Sequence, residues 1–356
     1  MTSKRPFFLA LALAAAGSLA YAALTRASGG PLDAVPADSY LVATVDVAGL
    51  RASPLYAFLF EKDRTWGLGD LALACGFDPL TRIQELDIAI PETGEPGDFG
   101  VAASAEVTRE ELVVCAENIA GARGEPHRAE TVGRFHMLEN QKGHALAVHE
   151  NGPILVGRAA MVRAMIAASE KRARGVRSNA EHMALRTALV PPGVKALVVA
   201  TALLPKDLRD RLKGEMGAEL GVDGSNAAFA GVLGVSAAGL SVRATEDGML
   251  EARAELHCES ETACAEVKKL ALAKRLLWSQ DLALRVVGLG ALIDALEVDA
   301  QGKVLTAKTR ARVADLSSTL ERIQKLRGRV ASPRPKESHQ APIRPDEVLR
   351  AKDASR

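Results

Sequence analysis

The sequence predicts an α+β protein built from two tandem copies of one mostly antiparallel sheet unit, with helices packed on one face. Three observations carry this reading. Short apolar stretches alternate with polar residues as half-buried strands do, a set of landmarks recurs in the same order in the two halves, and 356 residues leave room for two globular units plus terminal segments. The expected organisation is a leader over residues 1–30, a first repeat over 31–176, a second over 177–329 and a tail over 330–356.

The leader comes first. Lys4 and Arg5 precede an uncharged, largely apolar run from Phe7 to Leu24 that contains Ala20-Tyr21-Ala22. A basic start, an apolar middle and an A-x-A end describe a secretory signal peptide, with Ala20 and Ala22 as the small residues before the cleavage site and Ala23 as the new first residue. The same run at about 1.5 Å per residue reaches roughly 27 Å, enough to serve as an uncleaved membrane anchor. Both readings stay open, and both place the rest of the chain outside the inner membrane, periplasmic or tethered there.

The first repeat opens Val35-Pro36-Ala37-Asp38, and Leu41, Ala43, Val45 and Val47 then alternate with Val42, Thr44 and Asp46. The second opens Val190-Pro191-Pro192-Gly193 and runs into an apolar strand at Ala196–Ala200. A helix is expected after each strand, at 55–61 and 205–220, with proline near its start where a missing N–H costs nothing. Turns follow at Cys75-Gly76-Phe77-Asp78 and Leu220-Gly221-Val222-Asp223, and strands at 86–90 and 232–236.

Hairpins are expected from 99–105 with 112–116 and from 240–243 with 250–257. The stretch 116–128 offers a short counterpart to an amphipathic helix at 261–278. The best match lies near the repeat ends, where 147–155 aligns with 297–305 at a constant offset of 150 residues, each a strand, a glycine-containing turn and a strand. Closing helices are expected at 159–174 and 309–326. Antiparallel sheet covered by helices is the economical packing. From Ala331 onward the chain is proline-rich and charged, the composition of a disordered tail.

Four cysteines, Cys75, Cys115, Cys258 and Cys264, permit three pairings, and an exported chain has the oxidising compartment to form them. The favoured bridge is Cys258–Cys264, across a strand-to-helix corner, and the alternative is that all four are small buried hydrophobes. Neither C-x-x-C nor paired H-x-x-x-H spacing is present, so zinc is not expected.

The opening Val-Pro-Ala-Asp, a strand, Val45-Asp46-Val47, Leu50 and Ser53-Pro54-Leu55 together resemble the start of exported proteins of unassigned function seen in myxobacteria and related bacteria. The resemblance covers about the first 25 residues after the leader. It implies a surface or periplasmic setting and brings no catalytic residue with it.

Chemistry is represented mostly by absences. No G-x-S-x-G, G-x-x-x-x-G-K-[ST], H-E-x-x-H or strand-linked G-x-G-x-x-G is present. His136 and His144 share strand parity on an expected hairpin and His149 has the opposite parity, which makes a poor metal site. Glu110-Glu111 and Glu259 with Glu261 have structural explanations in strand alternation and helix-dipole pairing. Lys171-Arg172-Ala173-Arg174 suits a helix C-terminus, with membrane-surface contact as the alternative.

With 45 Lys+Arg against 44 Asp+Glu, no overall field draws nucleic acid, and 4% aromatic content disfavours stacking platforms. The resulting expectation is a non-catalytic exported cell-envelope protein acting as an interaction or scaffold module, with an unknown protein partner, no cofactor and no nucleic acid. The membrane enters only through the N-terminal segment if that is uncleaved. A periplasmic carrier of an apolar ligand and an enzyme of unrecognised type are the alternatives.

Overall fold

Alternating Val, Ile, Leu and Ala build the strands of a single twelve-stranded sheet, because successive side chains of an extended segment point to opposite faces. A computed structural model describes residues 30–53, 56, 68–92, 98–211, 227–245, 247–316, 318, 319 and 322. The leader, all but Tyr56 of the helix expected at 55–61, the turn at 220–223 and the tail lie outside the described residues.

The sheet is organised about its middle. Strand β1 (Ser39–Asp46) pairs on one side with β2 (Ile83–Pro91) and on the other with β8 (Val198–Leu203). Outward from β1 the order is β2, β3 (Gly100–Ala105), β7 (Ile154–Arg158) and β6 (His144–Val148). Outward from β8 it is β9 (Val235–Ala244), β10 (Met249–Cys258), β12 (Val304–Arg312) and β11 (Glu297–Gln301). The chain therefore fills equivalent positions in the same sequence twice, and the copies join edge to edge through β1 and β8. Strands β4 (His127–Val132) and β5 (Phe135–Asn140) extend the first copy alone. All the strand pairings are antiparallel. The fold is thus α+β with a duplicated antiparallel unit.

The offset of 150 residues aligns the starts of β7 and β12 but not their registers. Ala147 faces Leu155, whereas Ala300 faces Leu305. Residues 149–153 connect the first hairpin, and only Gly302 and Lys303 the second, with Gly302 at φ +58°. A tight turn demanding that left-handed glycine sets its own register.

Helices α1 (Val47–Arg51), α2 (Leu68–Cys75) and α3 (Pro79–Arg82) connect β1 to β2. Helix α4 (Arg109–Arg123) occupies the segment expected to be the second strand of a hairpin with β3. A strand is expected over 112–116, where Val113-Val114 are β-branched, but Thr108 and Glu111 close a reciprocal capping box and Gly124 ends the helix at φ +63°. Those two ends decide the segment's state. In the second copy α8 (Glu261–Gln280) holds the same place between β10 and β11. Two further boundaries move: β9 begins at Val235 because α7 (Ala227–Leu233) occupies the preceding turn, and β12 runs as strand to Arg312, where a helix had been expected from Thr309.

Expected packing on one face holds for α5 (Ala159–Ser169) and α6 (Ala180–Leu189). Helix α5 sets Met161, Val162, Met165 and Ile166 against Ala102, Met137, Ala147 and Leu155, all buried. Gly100 permits its close approach, since a Cβ there would lie 2.5 Å from Met165 Sδ. Leu189 of α6 meets Gly239 in the same way. Helix α8 packs on the opposite face, where Cys264 and Val267 join Val235, Cys258 and Leu305. Adjacent β9 residues show the change of side: Gly239 lies opposite Thr201 on the α6 face, while Ala238 lies opposite Leu256 on the α8 face.

Candidate interaction surface

The two copies are clamped together by polar groups of α6. Asn179 caps this helix, accepting from the Glu181 and His182 amides, and its side-chain NH2 donates to Ala37 O at 3.0 Å. His182 is fully buried, with Nε2 2.9 Å from Ser39 O in β1 and Nδ1 2.8 Å from Thr201 Oγ1 in β8. One turn on, Arg186 donates to Thr44 Oγ1 at 2.6 Å, and Thr44 donates in turn to Asp87 Oδ1. Burial is the main force raising the Asp87 carboxyl to about 7, with the Thr44 hydrogen bond opposing it. Asp87 Oδ2 and Arg186 Nη1 are buried without a hydrogen-bond partner among the described residues.

A raised buried carboxyl can mark a catalytic centre. Here it sits inside the junction between the copies, and a groove at the end of that junction is lined by Ala37, Ser39 and Asn179 but not by Asp87. That groove, of about 410 Å3, sets Asp38, Glu92 and Glu181 against Lys206 and Arg209. Arg209 is committed to holding structure, donating to Leu204 O and Leu233 O at 2.9 Å each and pairing with Glu259.

The residues singled out in the sequence divide in the same manner. Glu111 caps α4 and binds Arg82 at 2.8 Å. Glu261 lies in the first turn of α8. His136 and His144 lie on the sheet face opposite to His149, whose ring stacks obliquely on Phe135 at 5.4 Å. Among the described residues no cluster of three or more His, Cys, Asp or Glu is placed to hold a metal ion. Arg172 of the basic run pairs with Glu170 at 2.7 Å, and the Arg174 carbonyl accepts from the Ala37 amide. Cys258 bonds to Cys264, and Cys75 to Cys115, the latter joining α2 to α4. Ala20, Ala22 and Ala23 lie outside the described residues, and no described helix is long and apolar enough to cross a membrane.

The surface feature that sequence reasoning did not isolate is the far end of α8 with α9 (Leu282–Val287). The first half of α8 buries Cys264 and Val267, but beyond it Leu272, Leu276, Leu277 and Trp278 are exposed, and Leu282 and Val286 follow on α9. Leu276 is 62%, Leu282 75% and Val286 63% exposed. Three consecutive helical residues span about 200° of circumference, so Leu276, Leu277 and Trp278 make an apolar end rather than a stripe.

Polar groups hold this corner in shape while the apolar ones point out. Asp281 caps α9 by accepting from the Ala283 and Leu284 amides, and Gly288 ends it at φ +95°. Arg285 donates to Ser279 O and pairs with Asp294 at the end of α10 (Gly290–Asp294), and Arg275 donates to Asp294 O at 3.0 Å. Fully burying one large aliphatic side chain recovers about 1.5–3 kcal/mol, so five exposed aliphatic residues and Trp278 on two successive helices favour being covered. A signal was available in the sequence: Leu276-Leu277-Trp278 breaks the helical spacing by placing apolar residues on successive positions.

No family model matches the chain, and no curated protein matches it. Two solved structures superimpose on it, each at 12% identity. Crystal form III of TP0453 gives a TM-score of 0.47, covering 83% of this chain and 100% of that one. Crystal form I gives 0.43, covering 84% and 99%. Likeness at this level defines neither a family nor an activity.

Proposed function

We propose that this protein is a non-catalytic interaction module of the cell envelope that docks through the exposed ends of α8 and α9. The observation that carries this reading is the exposure of Leu272, Leu276, Leu277, Trp278, Leu282 and Val286 along the end of α8 and α9, in a corner fixed by its own caps and arginine contacts. The setting is supported by the basic-apolar-A-x-A start. Two disulfides fit an oxidising compartment, and the myxobacterial resemblance of the first strand region points the same way. The carrier reading gains nothing from the sheet face under α5, where Phe135, Met137, Leu155 and Met165 fill the interior.

The test is co-sedimentation of the chain from Ala23, which retains every described residue, with a bacterial envelope fraction that keeps its own proteins and lipids. The unaltered chain is expected in the pellet. A variant carrying L276Q, L277Q, L282Q and V286Q is expected in the supernatant with an unchanged melting temperature. Equal behaviour of the two chains would overturn the docking assignment.

A further inference from the structure

We propose that the sheet face opposite α5 and α6 binds the hydrocarbon chain of a single-chain amphiphile, whose zwitterionic head rests in the groove at the end of the β1–β8 junction. This site is separate from the α8–α9 surface and does not depend on it.

Strand register assembles the site. Val156, Val101, Ile88, Ala43, Ala200 and Leu240 lie side by side on β7, β3, β2, β1, β8 and β9. Alternation turns them away from Val42, Ala102 and Leu155, which are packed under α5. The flanking rows are aliphatic as well, one running from Ile154 through Val45 to Val242 and the other made of Ile90, Leu41, Ala202 and Ala238. None of the three buried clusters among the described residues takes in the middle row. Val156 and Leu240 at its ends are 44% and 42% exposed, and the four residues between them are half-buried.

Helices wall this face on both sides. Helix α8 covers β10 and β12 through Cys264 and Val267. At the other side Leu138 and Val148 are buried on the same face, where α4 packs on β6. The six strands between the walls span about 24 Å, whereas the twelve-stranded sheet of a second copy would measure about 53 Å and cannot enter.

The floor is lowest at Ala43, Ala200, Ala202 and Ala238, beside the taller Ile88, Ile90 and Leu240. Two residues beyond Ala202 and two before Ala238 come Leu204 and Ser236, which continue the ladder, the Leu204 amide donating to Ser236 O at 2.7 Å. Both line the groove of about 410 Å3, so the apolar hollow opens into it. There Asp38, Glu92 and Glu181 face Lys206, while Arg209 is committed to Glu259. Carboxylates and an ammonium at one mouth complement the ammonium and phosphate of a phosphoethanolamine head.

The lining also distinguishes hydrocarbon from a protein partner. Protein interface cores are rich in Tyr, Trp, Phe, Met and Arg and fix their register by hydrogen bonds. The three rows hold only Ala, Val, Leu and Ile, which give a partner chain no such anchor. An acyl chain needs none, and a mainly apolar lining with a few polar groups at one end is the usual form of a small-molecule site.

The test incubates the chain from Ala23 with palmitoyl lysophosphatidylethanolamine below its critical micelle concentration, with affinity read by titration calorimetry. A diazirine in the acyl chain allows crosslinked residues to be mapped by peptide mass. Labels are expected within residues 41–45, 198–202 and 238–242. Ala200→Trp, which fills the hollow, should weaken binding about tenfold. Lys206→Glu should weaken the zwitterionic lipid but not monopalmitoylglycerol, whose head is uncharged. If Ala200→Trp lowers the melting temperature, the crosslink map of the unaltered chain decides.

Absence of saturable binding overturns the proposal, as do labels confined to α8 and α9. An equal effect of Lys206→Glu on both lipids overturns the placement of the head. A dimer in sedimentation velocity that Ala200→Trp dissociates, without lipid binding, gives the face to a second copy instead.

Discussion

His182 reaches Ser39 across 143 positions of sequence, its Nε2 2.9 Å from the Ser39 carbonyl oxygen inside the β1–β8 junction. A carbonyl only accepts, so Nε2 carries the proton and donates, leaving Nδ1 of a neutral ring to accept from the Thr201 hydroxyl. Burial lowers the His182 pKa, which agrees with a neutral imidazole.

His182→Ala is expected to cost about 2–4 kcal/mol, through the cavity and the unpaired Ser39 carbonyl. Because the folded pKa lies below the unfolded value near 6.5, the stabilisation is complete above pH 6.5 and declines as pH falls beneath it. Urea midpoints at pH 7.5 and pH 5 should diverge less in His182→Gln than in the unaltered chain, and equal divergence would count against a buried neutral ring.

Asp87 predicts the opposite slope. Its carboxyl is raised to about 7 from 3.8, chiefly by burial, so its contribution is greatest below pH 4 and is lost as pH rises through about 7. Asp87→Asn keeps an oxygen for the Thr44 hydroxyl and removes the cost of ionisation. It should stabilise the protein at pH 8 by on the order of 3 kcal/mol and change little at pH 4. A loss of stability at pH 8 would show instead that the Arg186 charge requires the carboxylate.

The two disulfides should differ in worth because they close loops of different length. Cys75–Cys115 spans 40 residues and Cys258–Cys264 spans 6. Chain-entropy arguments give about 4 and about 2 kcal/mol respectively. The paired serine variants, compared by denaturant midpoint, should keep that order. Intact-mass analysis with a thiol label should find no reactive cysteine in the unaltered protein.

How much was legible follows from the range of the forces involved. The alternation at 41–47 and the recurring landmarks were local signals, and they led to duplicated antiparallel sheet. The Cys258–Cys264 corner was readable because six residues leave few geometries. Cys75–Cys115 was not singled out, because its two ends come together only when α2 packs on α4. Helix α4 was hidden by Val113-Val114, whose β preference is weaker than a completed capping box with a glycine at the far end. The junction was illegible for a different reason: His182 and Arg186 look like ordinary polar positions on a helix until β1 and β8 are known to meet beneath them. The α8–α9 surface differs again: Leu276-Leu277-Trp278 breaks the helical spacing and is a local signal, but the amphipathic pattern before it announces burial, and packing shows where along α8 the burial stops.

That last contrast gives a stability test independent of any ligand. Val267 and Leu276 are both large aliphatic residues on α8, but Val267 is buried against Leu305 and Leu276 is exposed. Val267→Ala should cost about 1–3 kcal/mol from lost burial and the cavity left behind. Leu276→Gln and Leu277→Gln should each fall within about 0.5 kcal/mol of the unaltered chain, because glutamine keeps helix propensity close to that of leucine. If the glutamine variants instead lower the denaturant midpoint as far as Val267→Ala does, the end of α8 is core, and a segment of the chain itself covers it. If they leave the midpoint in place, the exposed leucines contribute nothing to folding, and their apolar character serves contact with something outside the fold.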